Sequence, residues 1–278
     1  LHRPPSLGFA VAARLGGGAD YGDDFACRYV LNRAVLSALG FTGSIGYKVN
    51  DRLSLGAGLT AIYTLFEQDI SLNQPGALPD GEIGIDKIDD WGLQGVLGLT
   101  YQINNKTLLG VVYRTEADVE LEGDLKFSNV QVPIINQITS RLDEVKVEWT
   151  NPQWLEFGLR YDYSDKLKLM FNAGWQEWSE FGQNTFTIGG NINNPVARTI
   201  ERNFDDTWHA GVAFAYKTGP DSVFTMGYSY DSYPVDDNKR TLDLPFDETN
   251  KISALYAWRG KGKFDYAICG TLIHVGDA

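Results

Sequence analysis

Residues 91–101 read Trp-Gly-Leu-Gln-Gly-Val-Leu-Gly-Leu-Thr-Tyr. The odd positions, Trp91, Leu93, Leu97, Leu99 and Tyr101, are large and apolar, with Gly95 among them. The even positions, Gly92, Gln94, Val96, Gly98 and Thr100, are mostly small or polar. Strict alternation of this kind is the mark of a strand with one greasy face. It recurs at Phe41–Val49, Leu53–Leu65, Leu155–Tyr163, Leu167–Trp175 and Trp208–Lys217. Rings sit at the ends of the apolar stripes: Trp91 and Tyr101, Trp208 and Tyr216, Phe41 and Tyr47. A tilted strand needs roughly 9–11 residues to cross a bilayer, with aromatic girdles at both interfaces, and the interval from Trp91 to Tyr101 fits. A soluble β-sandwich also carries polar outer faces. The length of the strands and the regular placing of the rings favour a transmembrane antiparallel β-barrel, an all-β fold.

Composition agrees. The 278 residues include 30 Gly, 7 Trp, 14 Tyr and 14 Phe, which suits tight turns and interfacial rings. No apolar run approaches the roughly 18 residues of a spanning helix. The formal net charge of −12 argues against nucleic acid, whose phosphates demand an excess of Lys and Arg. Two cysteines leave little room for a disulfide framework. Cys27 falls in a loop and Cys269 in mid-strand, so no bond between them is expected. Short turns at 49–52, 103–106, 164–166, 218–221 and 259–262 alternate with long connections at 16–32, 67–88, 125–143, 188–203 and 235–248, as in barrels with one short-turned and one long-looped rim. Eleven strands are expected, near 6–15, 34–49, 53–67, 89–103, 107–124, 144–163, 167–187, 200–217, 222–234, 250–259 and 263–275. An odd number cannot close an antiparallel barrel, so residues 1–278 are expected to be one barrel domain lacking strands at one or both ends.

Several segments resemble the FadL-type outer-membrane transporters of long-chain fatty acids and hydrocarbons. They are Tyr47–Gly58, Tyr113-Arg114-Thr115-Glu116, Asn151-Pro152-Gln153-Trp154, Trp175-Gln176-Glu177-Trp178-Ser179-Glu180-Phe181, Tyr230-Asp231-Ser232-Tyr233-Pro234-Val235 and Leu244-Pro245-Phe246-Asp247. Their order and spacing span nearly the whole chain. The resemblance implies a fourteen-stranded barrel plugged by an N-terminal hatch, of which this chain supplies strands three to thirteen and is thus truncated at both ends. It also implies a location in the bacterial outer membrane and passive uptake of hydrophobic small molecules. The implied route starts in an apolar groove between the loops at 67–88 and 125–143, enters a lumenal pocket, and leaves sideways through a kinked third strand. Gly8 and the run Gly16-Gly17-Gly18 permit that kink.

In the loop at 125–143, Ile134, Ile135, Ile138 and Leu142 stand at helical spacing after Pro133, which suits a first helical turn. This stripe either packs on a neighbouring loop or meets ligand, and both are compatible. Leu72 and Leu78 in the other loop, with Ile83 and Ile85, are a weaker counterpart. By alternation Ile62, Phe66, Val96, Val112, Met170 and Leu255 face the lumen, either around a ligand or against the hatch. Arg114, Arg160, Lys168 and Lys217 face it too. Each either meets a ligand carboxylate or pairs with Glu116, Glu156 or Asp162. The ligand-binding candidates are therefore Ile134, Ile135, Ile138, Leu142, Leu72, Leu78, Ile62, Phe66, Val112, Met170 and Arg114.

The Asp clusters of the long connections lack EF-hand spacing and read as solvated loop faces rather than calcium sites. His2, His209 and His274 sit in no catalytic motif, and there is no Gly-x-Ser-x-Gly, His-Glu-x-x-His or Walker loop. No enzyme activity, cofactor or metal is expected. The expected partners are a hydrophobic small-molecule ligand, outer-membrane lipid and lipopolysaccharide, around a monomer. The competing reading is a porin or adhesion barrel with no dedicated ligand. A porin lumen should be rich in opposed charges, whereas this one is dominated by Gly, Ala, Ser and Thr.

Overall fold

The computed structural model describes residues 5–244, 247–260, 262 and 264–276. The strands are β1 (Ser6–Asp20), β2 (Arg33–Lys48), β3 (Leu53–Leu72), β4 (Gly81–Asn104), β5 (Thr107–Arg114), β6 (Ala117–Ser128), β7 (Leu142–Asn151), β8 (Trp154–Asp162), β9 (Leu167–Gln176), β10 (Gln183–Gly190), β11 (Val196–Glu201), β12 (Thr207–Gly219), β13 (Ser222–Asp231), β14 (Thr249–Arg259) and β15 (Asp265–Val275). Two short helices interrupt them, α1 (Pro133–Thr139) and α2 (Trp178–Phe181). All pairings between strands are antiparallel. Among the described residues β1, β11 and β15 each pair on one side only, so the wall is an open sheet.

The expectation of eleven continuous strands needs correction. There are eleven passes, but four consecutive ones are broken, between β5 and β6, β7 and β8, β9 and β10, and β11 and β12. The lower halves continue the wall as β4-β5-β8-β9-β12. The upper halves leave it and form a separate sheet, β6-β7-β10-β11, attached through residues 82–85 of β4. Each break has a local cause. Pro152 lacks the N–H that a ladder needs. Thr115 Oγ1 accepts the Gly95 amide at 2.9 Å. The four-residue helix α2 displaces the third strand, and Asn203 adopts a left-handed backbone, φ 51°, in the fourth.

The upper sheet bends over the lumen because its inner face is apolar. Val119, Leu121, Leu125, Val145, Val147 and Trp149 are buried with Leu36 of β2, Phe66 of β3, Ile85 and Ile88 of β4, and Phe181 and Phe204. This core closes the mouth of the barrel. The outward face of the same sheet carries Asp118, Glu120, Glu122, Asp124, Glu144 and Glu148, with Lys146 bridging Glu120 at 2.7 Å and Glu148 at 3.2 Å. Four of the five long connections are shorter than expected, because strands such as β3, β4, β6 and β10 continue past the membrane band, whereas the last runs from 232 to 248.

Around the wall the register aligns Ala57, Leu97, Tyr113, Leu155, Trp175 and Trp208 on the outer face. Rings cluster at two levels. Phe41 and Tyr63 meet Trp91 above, at 5.8 and 5.1 Å, and Trp258 meets Tyr256 and Tyr266 below, at 5.7 and 5.8 Å. The short turns close as their residues require. Asn50 Oδ1 accepts the amides of Arg52 and Leu53, Asn104 Oδ1 that of Lys106, and Ser164 Oγ those of Lys166 and Leu167. Pro245, Phe246, Lys261 and His2, named from the sequence, lie outside the described residues. Cys27 and Cys269 are both free thiols.

Candidate binding site

The first strand is irregular between Ala13 and Leu15, not at Gly8 or at Gly16–Gly18. Ala13 opposes outward Leu39, while Leu15 opposes inward Ala38. A bulge places two successive residues on one side of a strand, so both Arg14 and Leu15 enter the lumen. Gly40 makes the room: a Cβ there would stand 2.9 Å from Arg14 Cγ.

These residues line a cavity of about 70 Å³ with Ile62, Gln94, Arg114, Trp154, Trp178 and Phe181. Arg14 Nη2 donates to Gln94 Oε1 at 3.2 Å, and Gln94 Nε2 donates to the Thr115 carbonyl at 2.7 Å. The guanidinium carbons of Arg14 and Arg114 lie 5.9 and 5.4 Å from the centre of the Trp154 ring. Arg114 Nε is buried without a hydrogen-bond partner. Neither arginine forms a carboxylate ion pair among the described residues. The charge of Glu156 is felt by Arg114, but its nearest basic contact is His209, Oε1 to Nε2 at 3.8 Å. Arg160 differs, lying 3.3 Å from Asp162. The site thus joins two guanidinium groups without a direct carboxylate ion pair, an indole face and an apolar wall. That chemistry suits an anionic head on a hydrophobic body.

A second cavity, of about 30 Å³, lies nearer the mouth and is lined by Leu36, Phe66, Val147, Trp149, Phe181, Phe186 and Leu244 among others. Its polar end is Arg202. That buried guanidinium donates to Asn184 Oδ1 at 2.7 Å, Thr241 Oγ1 at 2.9 Å, and both oxygens of Asp243 at 2.9 and 2.6 Å. Burial alone would raise the Asp243 carboxyl. The forked contact with Arg202 outweighs it and holds Asp243 below the usual carboxylate range. Tyr21 Oη adds a bond to the Leu242 carbonyl at 3.0 Å, so residues 241–244 are pinned across the mouth.

On the outer rim three loops are tied together. Buried Gln74 accepts the amides of Gln131 and Val132 at 2.7 and 3.2 Å, and donates to the carbonyls of Pro79 and Asn129 at 2.8 and 2.9 Å. Asp80 accepts from Arg28 Nε at 2.8 Å. Helix α1 begins at Pro133 as the sequence indicates. Its stripe divides, however. Ile134 and Ile138 are 62% and 57% exposed, and Leu78 is also exposed. Ile135 is half-buried, and Leu142 packs against the core.

Of the residues singled out from sequence, the structure brings Ile62 and Arg114 into the first cavity and Phe66 into the second. Val112 and Met170 face the lumen below both, by register with Glu156 and Arg160. Ile83 and Ile85 belong to the core, and Leu72 is half-buried beside Gly81. Sequence reasoning missed Arg14, Leu15, Gln74, Gln94, Trp154, Trp178 and Phe181 as site residues. Trp154, Trp178 and Phe181 had a signal, since they lie in segments that carry the family resemblance. Arg14 had none, because alternation alone cannot locate a bulge.

Comparison with known proteins bears on the same barrel. The family model described as "Outer membrane protein transport protein (OMPP1/FadL/TodX)" matches residues 5–269. A long-chain fatty acid transport protein of Escherichia coli is 21% identical over 290 residues, covering 93% of this chain and 64% of the relative. Outer membrane protein P1 of Haemophilus influenzae is 22% identical over 249 residues, covering 75% and 53%. The chain therefore spans less than two-thirds of these curated relatives. Among solved structures, a FadL homologue of Pseudomonas aeruginosa superposes with a TM-score of 0.84 at 20% identity, covering 97% of this chain and 66% of that one. The toluene transporter TbuX of Ralstonia pickettii superposes at 0.68 and 20% identity, covering 97% and 76%. At these identities the superpositions establish a common fold.

Proposed function

This chain belongs to the outer membrane transport protein family OMPP1/FadL/TodX, and on that premise we propose that its barrel passes hydrophobic carboxylates, long-chain fatty acids foremost, across the bacterial outer membrane. The observation that carries the substrate class is the pair of lumenal arginines over Trp154, without a carboxylate partner and with Arg114 Nε unbonded. A half-buried guanidinium with one nitrogen buried and unbonded is costly, and a ligand carboxylate supplies what the wall lacks. An uncharged hydrocarbon leaves that deficit in place. The apolar core across the mouth argues against a general porin.

In this reading Ile134, Ile138 and Leu78 offer the first apolar contact outside. Ile62, Leu15 and Trp178 hold the body of the ligand beside Arg14 and Arg114. Val112 and Met170 line the space below. Passage is passive and non-catalytic, in a monomer surrounded by lipid and lipopolysaccharide. Replacing Arg14 and Arg114 together by Gln tests it. A hydrogen bond to a charged group contributes about 1.5–3 kcal/mol, so carboxylate affinity falls at least tenfold while toluene affinity stays within threefold. Unchanged carboxylate affinity would refute the assignment.

A further inference from the structure

Phe181 is the one described residue that lines both cavities. It is 1% exposed, at the end of α2. Its ring meets Trp178 edge-on at 5.0 Å on one side and Trp149 at 6.3 Å on the other. The row continues through Phe66, 6.1 Å from Trp149 and 6.3 Å from Phe186. Cavities of about 70 and 30 Å³ are both smaller than the ~150 Å³ that holds a benzene molecule. Neither by itself has room for a long acyl chain while Phe181 stands between them.

We infer that Phe181 sets the length of acyl chain this lumen accepts: its ring closes the apolar space beside Arg14 and Arg114, and turning that ring opens the space into the aromatic cavity at the mouth. The inference rests on the carboxylate reading above and adds to it the residue that limits the tail. Such a turn is a rotation of the side chain alone, because the backbone on either side is fixed. The Phe181 carbonyl is held by Asn184 Nδ2 at 3.1 Å, and the Gly182 amide by the Trp178 carbonyl at 3.0 Å. The helix end has no slack, because a Cβ on Gly182 would stand 2.9 Å from Phe204 Cβ. The ring itself carries no hydrogen-bonding group and is held by packing alone.

The experiment compares octanoate and palmitate binding to the full-length gene product in nanodiscs, by displacement of a fluorescent carboxylate, for wild type, Phe181→Ala, Phe181→Leu and Phe181→Trp. Each further methylene buried is worth roughly fourfold in affinity. Phe181→Ala is expected to raise the palmitate-to-octanoate affinity ratio at least tenfold, Phe181→Leu by less, and Phe181→Trp to lower it. A ratio within twofold of wild type in Phe181→Ala, with the β-sheet circular dichroism retained, overturns the inference. If Phe181→Ala does not fold, the opposite shifts of the Leu and Trp variants decide it, and no shift in either overturns it. Wild type that binds neither carboxylate sinks the functional reading itself, and the role of Phe181 with it.

Discussion

Arg14 reaches the cavity only because position 40 has no side chain. A methyl group at Gly40 meets Arg14 Cγ at 2.9 Å and Thr60 Cγ2 at 3.1 Å. Gly40→Ala is therefore expected to displace the guanidinium from Trp154 and weaken octanoate binding about tenfold, the scale of one charge-assisted bond. Thermal stability should shift by no more than about 1 kcal/mol, since Gly is itself unfavourable within a strand. A displacement titration and a melting curve on the same variant check both. Asp243 allows a pH prediction. Its folded value is lowered, so its contribution is fully present above the ordinary carboxylate value of about 3.9 and is lost as pH falls through the lowered one. Residues 241–244 should become more open to protease below about pH 4. Asp243→Asn should show the same opening at pH 7, while leaving the rest of the barrel resistant.

At the scale of elements, residues 107–125 hold the most instructive misreading. Leu109, Val111 and Tyr113 are apolar at odd positions, and so are Val119, Leu121 and Leu125. The parity is unbroken, so a single strand is the natural sequence reading. In the structure the first three face outward, and the last three are buried in the core at the mouth. Thr115–Glu116 turns the chain over between them. The pass through β7 and β8 repeats this in reverse, with Val145, Val147 and Trp149 inward and Leu155, Phe157 and Leu159 outward. Alternation reports which face is greasy, and lipid and a dry protein core are equally greasy. Gln74 is the polar counterpart: a lone amide in a loop carries no sequence signal, yet it holds two loops with four bonds. Gln74→Ala leaves buried groups unpaired, at about 1–3 kcal/mol each. Faster hydrogen exchange is expected at Gln131 and Val132, with exchange in β12 and β13 unchanged.

For the whole molecule, the two ring levels bound a lipid-facing band, and Leu97 lies near its middle, 56% exposed. Leu97→Arg should destabilise the barrel by about 2–4 kcal/mol in bilayers, the midplane cost of a lipid-facing cation. Thr100→Arg, on the lumen face of the same strand, should cost under about 1 kcal/mol. Equal losses in urea unfolding of the two variants would contradict the assignment of faces.

The sequence by itself determined the all-β class, the eleven passes, the side with short turns and, within the membrane band, the residues on each face. Those properties follow from period-two alternation and turn chemistry, which are local. It also pointed to Ile62, Phe66 and Arg114 as lumenal, since register carries that parity across the sheet. Only the tertiary structure decided that four passes break at one level, that a bulge turns Arg14 inward, and that Trp154, Trp178 and Phe181 meet beside Arg114. These depend on how the upper sheet buries its apolar face against strands distant in sequence. The free energy of that packing belongs to no single segment of the chain.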